Sequence, residues 1–288
     1  MSFLRPTHFS EVIDSIQGHL RPLLEWLDLN SVNGAIPNID YISSIDLASG
    51  QYPVEGQYRL FMTAGHDEYW SDTMVNTIVG HLANGGNVMF LSGNTSDGRI
   101  TFGQLCKREA CPAGPPHVDA LSTMSTINPS ARHPGGDGKE RWSSVDNMDM
   151  RLTGLRTPTA NTARCIYEPY TISNLNHWAM KGVSDLCFGR LLDGGWVSGY
   201  EVDSRFAEAD QYGEFEILGS ARWNNEILSG DHRGPAVTTH FGLCHNYKGT
   251  AFSAGTVDWV RGLAKAEFGR GVETVTRNVI RRLSGTDG

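Results

Sequence analysis

Three short segments of the chain hold the residue types from which hydrolytic chemistry is built. Gly65-His66-Asp67-Glu68-Tyr69-Trp70 sets three ionisable side chains in a row, followed by two aromatics. In extended backbone successive side chains alternate, so His66 and Glu68 would share one face and Asp67 the other. His66 and Glu68 could then serve as metal ligand and orienting partner, or as an acid/base pair. A structural reading stands evenly beside this one: Asp67 or Glu68 caps a helix starting near Ser71, and His66 is exposed. The second segment is Ser92-Gly93-Asn94-Thr95-Ser96. A strand running into a tight glycine turn is where some α/β folds present a nucleophile. Here the residue is Asn94, an amide, and no G-x-S-x-G frame exists, so a serine or cysteine nucleophile is disfavoured. Asn94 could donate a hydrogen bond to a substrate carbonyl or simply hold the turn. In Gly199-Tyr200-Glu201-Val202-Asp203, Glu201 and Asp203 share a face if extended. That suits a general base, or an exposed strand edge. Lys107, between Cys106 and Arg108, reads by itself as solvent-exposed surface.

These segments need elements to position them. Tyr58–Ala64 is patterned as a buried strand that stops at Gly65. Ser71 is a good N-cap for a helix carrying Met74, Val75, Ile78, Val79 and Leu82 on one face and ending at Gly85-Gly86. Asn87–Leu91 is a second buried strand, which makes a βαβ unit with parallel strands. Ligands of open parallel sheets bind beyond the carboxyl ends of the strands, where His66 and Asn94 both fall. Upstream, apolar spacing predicts a short helix near 10–20 and another starting at Pro22, and residues 40–45 read as a short strand. Residues 112–147, interrupted by proline and glycine, read as a long loop or a lid. Strands are expected at 196–200, 215–218 and 236–241, and a closing helix at 272–283. No linker divides the pattern, so residues 1–288 read as a single α/β domain with a β-rich C-terminal half.

Composition excludes several classes. The 288 residues carry a net charge of −8 with no Lys/Arg cluster, against nucleic acid or an anionic membrane as partner. No apolar run is long enough for a membrane span. Met1–Pro6 has no apolar core behind a basic start, so no secretory signal is expected. Five scattered cysteines without a C-x-x-C pair fit reduced thiols in a cytoplasmic enzyme. Dinucleotide and phosphate loops are missing, as is H-E-x-x-H, which makes dinucleotide enzymes and zinc proteases poor fits.

The order of the segments resembles the large (beta) subunit of N,N-dimethylformamidase, in its C-terminal catalytic region. The resemblance rests on Gly65–Ser71, Phe90–Thr95, Leu105-Cys106-Lys107, Gly199–Asp203, Ala251–Trp259 and Thr276–Val279, six pieces in order along most of the chain. It implies an amidohydrolase with a three-layer αβα sandwich like a glutamine amidotransferase, and a mononuclear iron held by two tyrosines and one glutamate. Carried over, Glu68 matches the iron ligand and His66 the residue behind it. Asn94, Lys107 and Glu201 match the polar groups around the substrate. At the place of one expected tyrosine stands Thr7, and Tyr41 matches a strand tyrosine, not a ligand. The expectation is hydrolysis of a small, formamide-like amide, with a homo-oligomer or small partner subunit. Two alternatives are a non-catalytic scaffold or binding module and a metal-free hydrolase using Glu201 and His66.

Overall fold

A computed structural model describes residues 20–50, 56–102, 124–126, 140–158, 168–184, 187–191, 195–222, 237–263 and 270–286. The expected helix near 10–20, the Lys107 position and most of 112–147 lie outside the described residues. Helix α1 (Arg21–Val32) has Pro22 in its first turn, where a missing N–H costs nothing, and buries Leu23, Trp26 and Leu27. The strand expected at 40–45 does not form. Ser43 instead caps a short helix, α2 (Ser44–Ser49). Its hydroxyl accepts the Asp46 N–H at 3.1 Å while the Asp46 carboxylate accepts the Ser43 N–H at 3.2 Å. This capping box satisfies two end groups at once, and it overrides a weak alternation of apolar residues.

The βαβ unit forms as its pattern dictates. Strand β1 (Leu60–Gly65) is followed by β2 (Tyr69–Ser71), helix α3 (Asp72–Ala83) and strand β3 (Asn87–Ser92). Ser71 caps α3 by accepting the Met74 N–H at 3.3 Å. β1 and β3 pair in parallel from Leu60 opposite Asn87 to Gly65 opposite Ser92. Next come β4 (Gly98–Phe102), β5 (Met124–Thr126) and β6 (Glu140–Arg141), which with β2 make a second, four-stranded sheet. The expected loop 112–147 therefore contributes two strands in its described parts. It also contributes Trp142, which is 3% exposed and donates its indole N–H to the Trp70 carbonyl at 3.1 Å.

Helix α4 (Met148–Thr153) precedes β7 (Tyr170–Ile172), β8 (Cys187–Phe188), β9 (Phe215–Arg222), β10 (Thr238–Cys244), β11 (Ala251–Ser253) and the last helix, α5 (Arg270–Ser284). Two of the three late strands are thus found. The third, 196–200, is a bend with an isolated bridge between Arg190 and Trp196. The Thr256 hydroxyl holds it there, within hydrogen-bond reach of the Val197 and Tyr200 carbonyls at 2.7 and 3.0 Å.

The main sheet is mixed, with strand order β1-β3-β11-β10-β9-β7-β8. β1, β3 and β11 run parallel, and β10, β9, β7 and β8 continue antiparallel. Alternation along β3 puts Met89 and Leu91 in one core with α1 and α5, and Val88 and Phe90 in another with α3. Helices therefore cover both faces at the parallel end, as a parallel sheet buried on both sides requires. The fold is of the mixed α/β class.

Candidate active site

The carboxyl ends of β1 and β3 are tied together before any functional side chain appears. Ser92 Oγ donates to the Gly65 carbonyl at 2.6 Å. Beyond Gly65 the chain bends at once: the Asp67 N–H donates to the Gly65 carbonyl at 3.0 Å. The extended geometry assumed for 66–68 is thereby corrected, because a bond spanning two residues closes a turn at His66. The capping alternative is corrected as well. Ser71 caps α3, while Asp67 Oδ1 accepts the Trp70 indole N–H at 2.9 Å. Burial pushes the Asp67 carboxyl up to about 7, against the hydrogen bonds of Thr63 and Trp70.

The turn after β3 is a left-handed one. Asn94 and Ser96 have φ of 51° and 52°. Asparagine tolerates that region better than other non-glycine residues. The Ser96 N–H donates to the Asp67 carbonyl at 3.0 Å, so the turns after β1 and β3 are bonded to each other. Gly93 has no room for a side chain, since a Cβ there would lie 1.6 Å from the Glu201 carbonyl oxygen. Close approach of these two backbones is what brings the third segment into the site.

Glu201 itself has φ 45°. Glu201 and Asp203 are therefore not on one extended face, and they are not on an exposed edge. Glu201 turns toward His66, with Oε2 at 3.6 Å from Nε2, and the two side chains are 15% and 27% exposed. The His66 ring also meets Tyr200 edge-on, with centroids 5.7 Å apart. Asp203, 3% exposed, turns the other way and accepts the Asn94 N–H at 3.0 Å and the Thr157 hydroxyl at 2.9 Å. Desolvation raises its carboxyl to about 7, although Thr157 and the N–H groups of Asn94 and Thr95 favour the ionised form. Of the five non-glycine residues with positive φ among those described, Asn94, Ser96 and Glu201 fall in this cluster. Such conformations cost of order 1–3 kcal/mol each and collect at functional sites.

The structure thus brings His66, Asn94 and Glu201 together. Glu68 sits at the same strand ends, its carbonyl accepting the Gly98 N–H at 2.8 Å. Lys107 lies outside the described residues. Sequence reasoning missed Asp203 as the partner of the Asn94 turn, and it missed Thr157 altogether. A small hydroxyl residue beside a proline carries no motif, and only the packing of 155–157 against the turn reveals it. A cavity of about 600 Å³ runs along β1, lined by every residue from Gln57 to Asp67 and by apolar side chains including Leu23, Leu27 and Ile39.

The family model described as N,N-dimethylformamidase beta subunit-like, C-terminal, matches residues 1–273. The chain belongs to that family. No curated protein matches it. Membership in the dimethylformamidase-like family implies a hydrolase acting on C–N bonds, and the family is named for its likeness to a beta subunit. No helix among the described residues is long and apolar enough to cross a membrane. The iron that the resemblance implies calls for two tyrosines and one glutamate. Among the described residues, no three His, Cys, Asp or Glu side chains are grouped so that they could hold a metal ion.

Proposed function

We propose that this dimethylformamidase-like chain hydrolyses the C–N bond of a small, formamide-type amide at the cluster of His66, Asn94 and Glu201. The observation that carries the reading is the approach of His66 Nε2 to Glu201 Oε2 at 3.6 Å beside the Asn94 turn, with both side chains still partly open to solvent. A water beside Glu201 gives up a proton to its carboxylate, and the oxygen attacks the amide carbonyl carbon. The carbonyl oxygen then carries the negative charge, and an Asn94 side-chain N–H stabilises it. When the C–N bond breaks, the amine leaves with the proton returned by Glu201, while His66 holds that carboxyl in place. Lys107 is assigned to the same oxyanion through the family resemblance alone. Amidotransferase-like layering and a cytoplasmic, thiol-reducing setting belong to the same reading; the buried free thiol of Cys244 accords with the latter.

Glu68 is the proposed metal ligand. Iron there would require donors beyond the described His, Cys, Asp and Glu groups, such as phenolates, so the steps above run through the chain's own residues. The test is amine release from formamide and N,N-dimethylformamide by the purified protein, together with its iron content. Glu201→Gln is expected to lower kcat by about 10²–10⁴-fold. A Glu68→Ala protein with full activity and unchanged iron overturns the role of Glu68. Turnover that survives chelation points to the metal-free route, and no turnover with no iron points to a non-catalytic module.

A further inference from the structure

The oxyanion role of Asn94 requires its amide to present nitrogen, not oxygen, to the reacting carbonyl. Which end faces that way is decided by Thr157. Its Oγ1 lies 3.1 Å from Asn94 Oδ1 and 2.9 Å from Asp203 Oδ1. A threonine hydroxyl has one proton, so it can donate to only one of two acceptors. Two arrangements satisfy the geometry. With Asp203 ionised, the carboxylate takes the hydroxyl proton in a charge-assisted bond. Thr157 can then only accept from Asn94, which must turn its NH₂ toward Thr157 and its oxygen away. With Asp203 protonated on Oδ1, the carboxyl donates to Thr157 and still accepts the Asn94 backbone N–H. Thr157 then donates its own hydroxyl hydrogen bond to Asn94 Oδ1, and the NH₂ group faces the other way.

We propose that Asp203 is a positioning residue: through the single hydroxyl proton of Thr157, its protonation state sets whether Asn94 offers a donor or an acceptor to the reacting amide. The inference rests on the functional reading above and gives it a direction in pH. Burial holds the Asp203 carboxyl protonated up to about 7, so the donor form dominates below that pH and gives way above it. The groups that face Asp203 accord with this. Asp97, paired with Arg141 at 2.9 Å, repels the carboxylate. Glu201 is engaged with His66. His240 donates its backbone N–H to the Asp203 carbonyl at 3.2 Å, and its ring is held neutral with a pKa lowered to about 4. Tyr170 is driven to higher pKa by burial and by Asp203 itself. The nearest guanidinium on the 155–157 segment, Arg156, is committed to Asp149.

The test follows the side-chain NH₂ resonances of Asn94 in ¹⁵N-labelled protein, assigned by their loss in Asn94→Asp, from pH 5 to 9. Wild type is expected to show one single-proton transition near pH 7. Thr157→Val keeps the shape and removes the hydroxyl, so the transition should vanish at Asn94. Asp203→Asn keeps an acceptor for the Asn94 N–H, so Asn94 should stay in its acceptor arrangement at every pH. Amide hydrolysis by wild type should fall about tenfold per pH unit above the transition. In Asp203→Asn, kcat should drop by about 10²–10³, as for loss of one oxyanion donor, with the pH step gone and KM little changed. An Asn94 signal that ignores pH in wild type, or that titrates equally in Thr157→Val, overturns the proposal. If the transition is present and depends on Thr157 while no amide is hydrolysed, the relay stands and the amidase reading fails.

Discussion

Gly93→Ala tests whether the site exists only because two backbones touch. The added Cβ would lie 1.6 Å from the Glu201 carbonyl oxygen, 2.8 Å from its carbon and 3.0 Å from Thr256 Cα. All three are backbone atoms, so no side chain can rotate away. To regain even 3.0 Å from the oxygen, the two segments must part by about 1.4 Å, since overpacking of this kind forces backbone shifts. Forced insertion into a packed interior costs about 1–3 kcal/mol or more. The same displacement acts on the 3.6 Å approach of Glu201 to His66, and a misplacement of about 1 Å can cost about 100-fold in rate. Gly249→Ala is the matched control. Its Cβ would lie 1.7 Å from the Gly86 carbonyl oxygen, before the start of β3, so it strains the fold away from Asn94. Urea denaturation should show both variants destabilised by similar amounts. Amide hydrolysis, measured where both remain folded, should fall about 100-fold in Gly93→Ala and within a few-fold in Gly249→Ala. Equal activities in the two variants, or a Gly93→Ala protein as stable as wild type, would refute the reasoning.

Two further outcomes concern the support around the turn. Arg156 grips Asp149, which is 3% exposed, through Nε at 2.6 Å and Nη2 at 2.9 Å, and Arg156→Ala leaves that carboxylate buried without its partner. A loss of about 3–5 kcal/mol is expected, read as a lower urea midpoint, and a loss below 1 kcal/mol would show that Asp149 finds another partner. The Asp203 carboxyl is raised in the fold from 3.8 to about 7, so the folded state binds its proton more tightly than the unfolded chain does. Its contribution to stability is complete below about pH 3.8 and is lost as pH rises through about 7, to a ceiling of about 4 kcal/mol. Asp203→Asn should flatten that decline, narrowing its stability deficit or exceeding wild type at pH 8 relative to pH 5; an unchanged pH slope would count against a protonated Asp203.

The local signals in the chain were strong wherever one segment could decide for itself. Ser71 with Met74, Val75, Ile78 and Leu82 specified α3, and the apolar runs on either side specified β1 and β3, because a cap and a periodic face act within a few residues. Residues 40–45 depart from the expected strand because a capping box at Ser43 and Asp46 outweighs a short alternation. Residues 196–200 bend instead of forming the expected strand because the hydroxyl of a distant residue, Thr256, holds them. Position relative to the strand ends is legible for His66 and Asn94, and Glu201 stands out in its acidic pair as a candidate base, to which the family resemblance adds a place beside the substrate.

By itself, then, the sequence determined the βαβ unit, its caps, and the presence of His66, Asn94 and Glu201 in segments able to reach a common crevice. Tertiary structure alone decided that Glu201 faces His66 while Asp203, two residues on, faces Asn94. That division follows from a left-handed residue at 201 and from a glycine at 93 small enough to let the two backbones touch. A contact spanning 109 residues, like that of Asn94 with Asp203, leaves no period in the chain, because it is fixed by packing between elements and not by the spacing of residues within one.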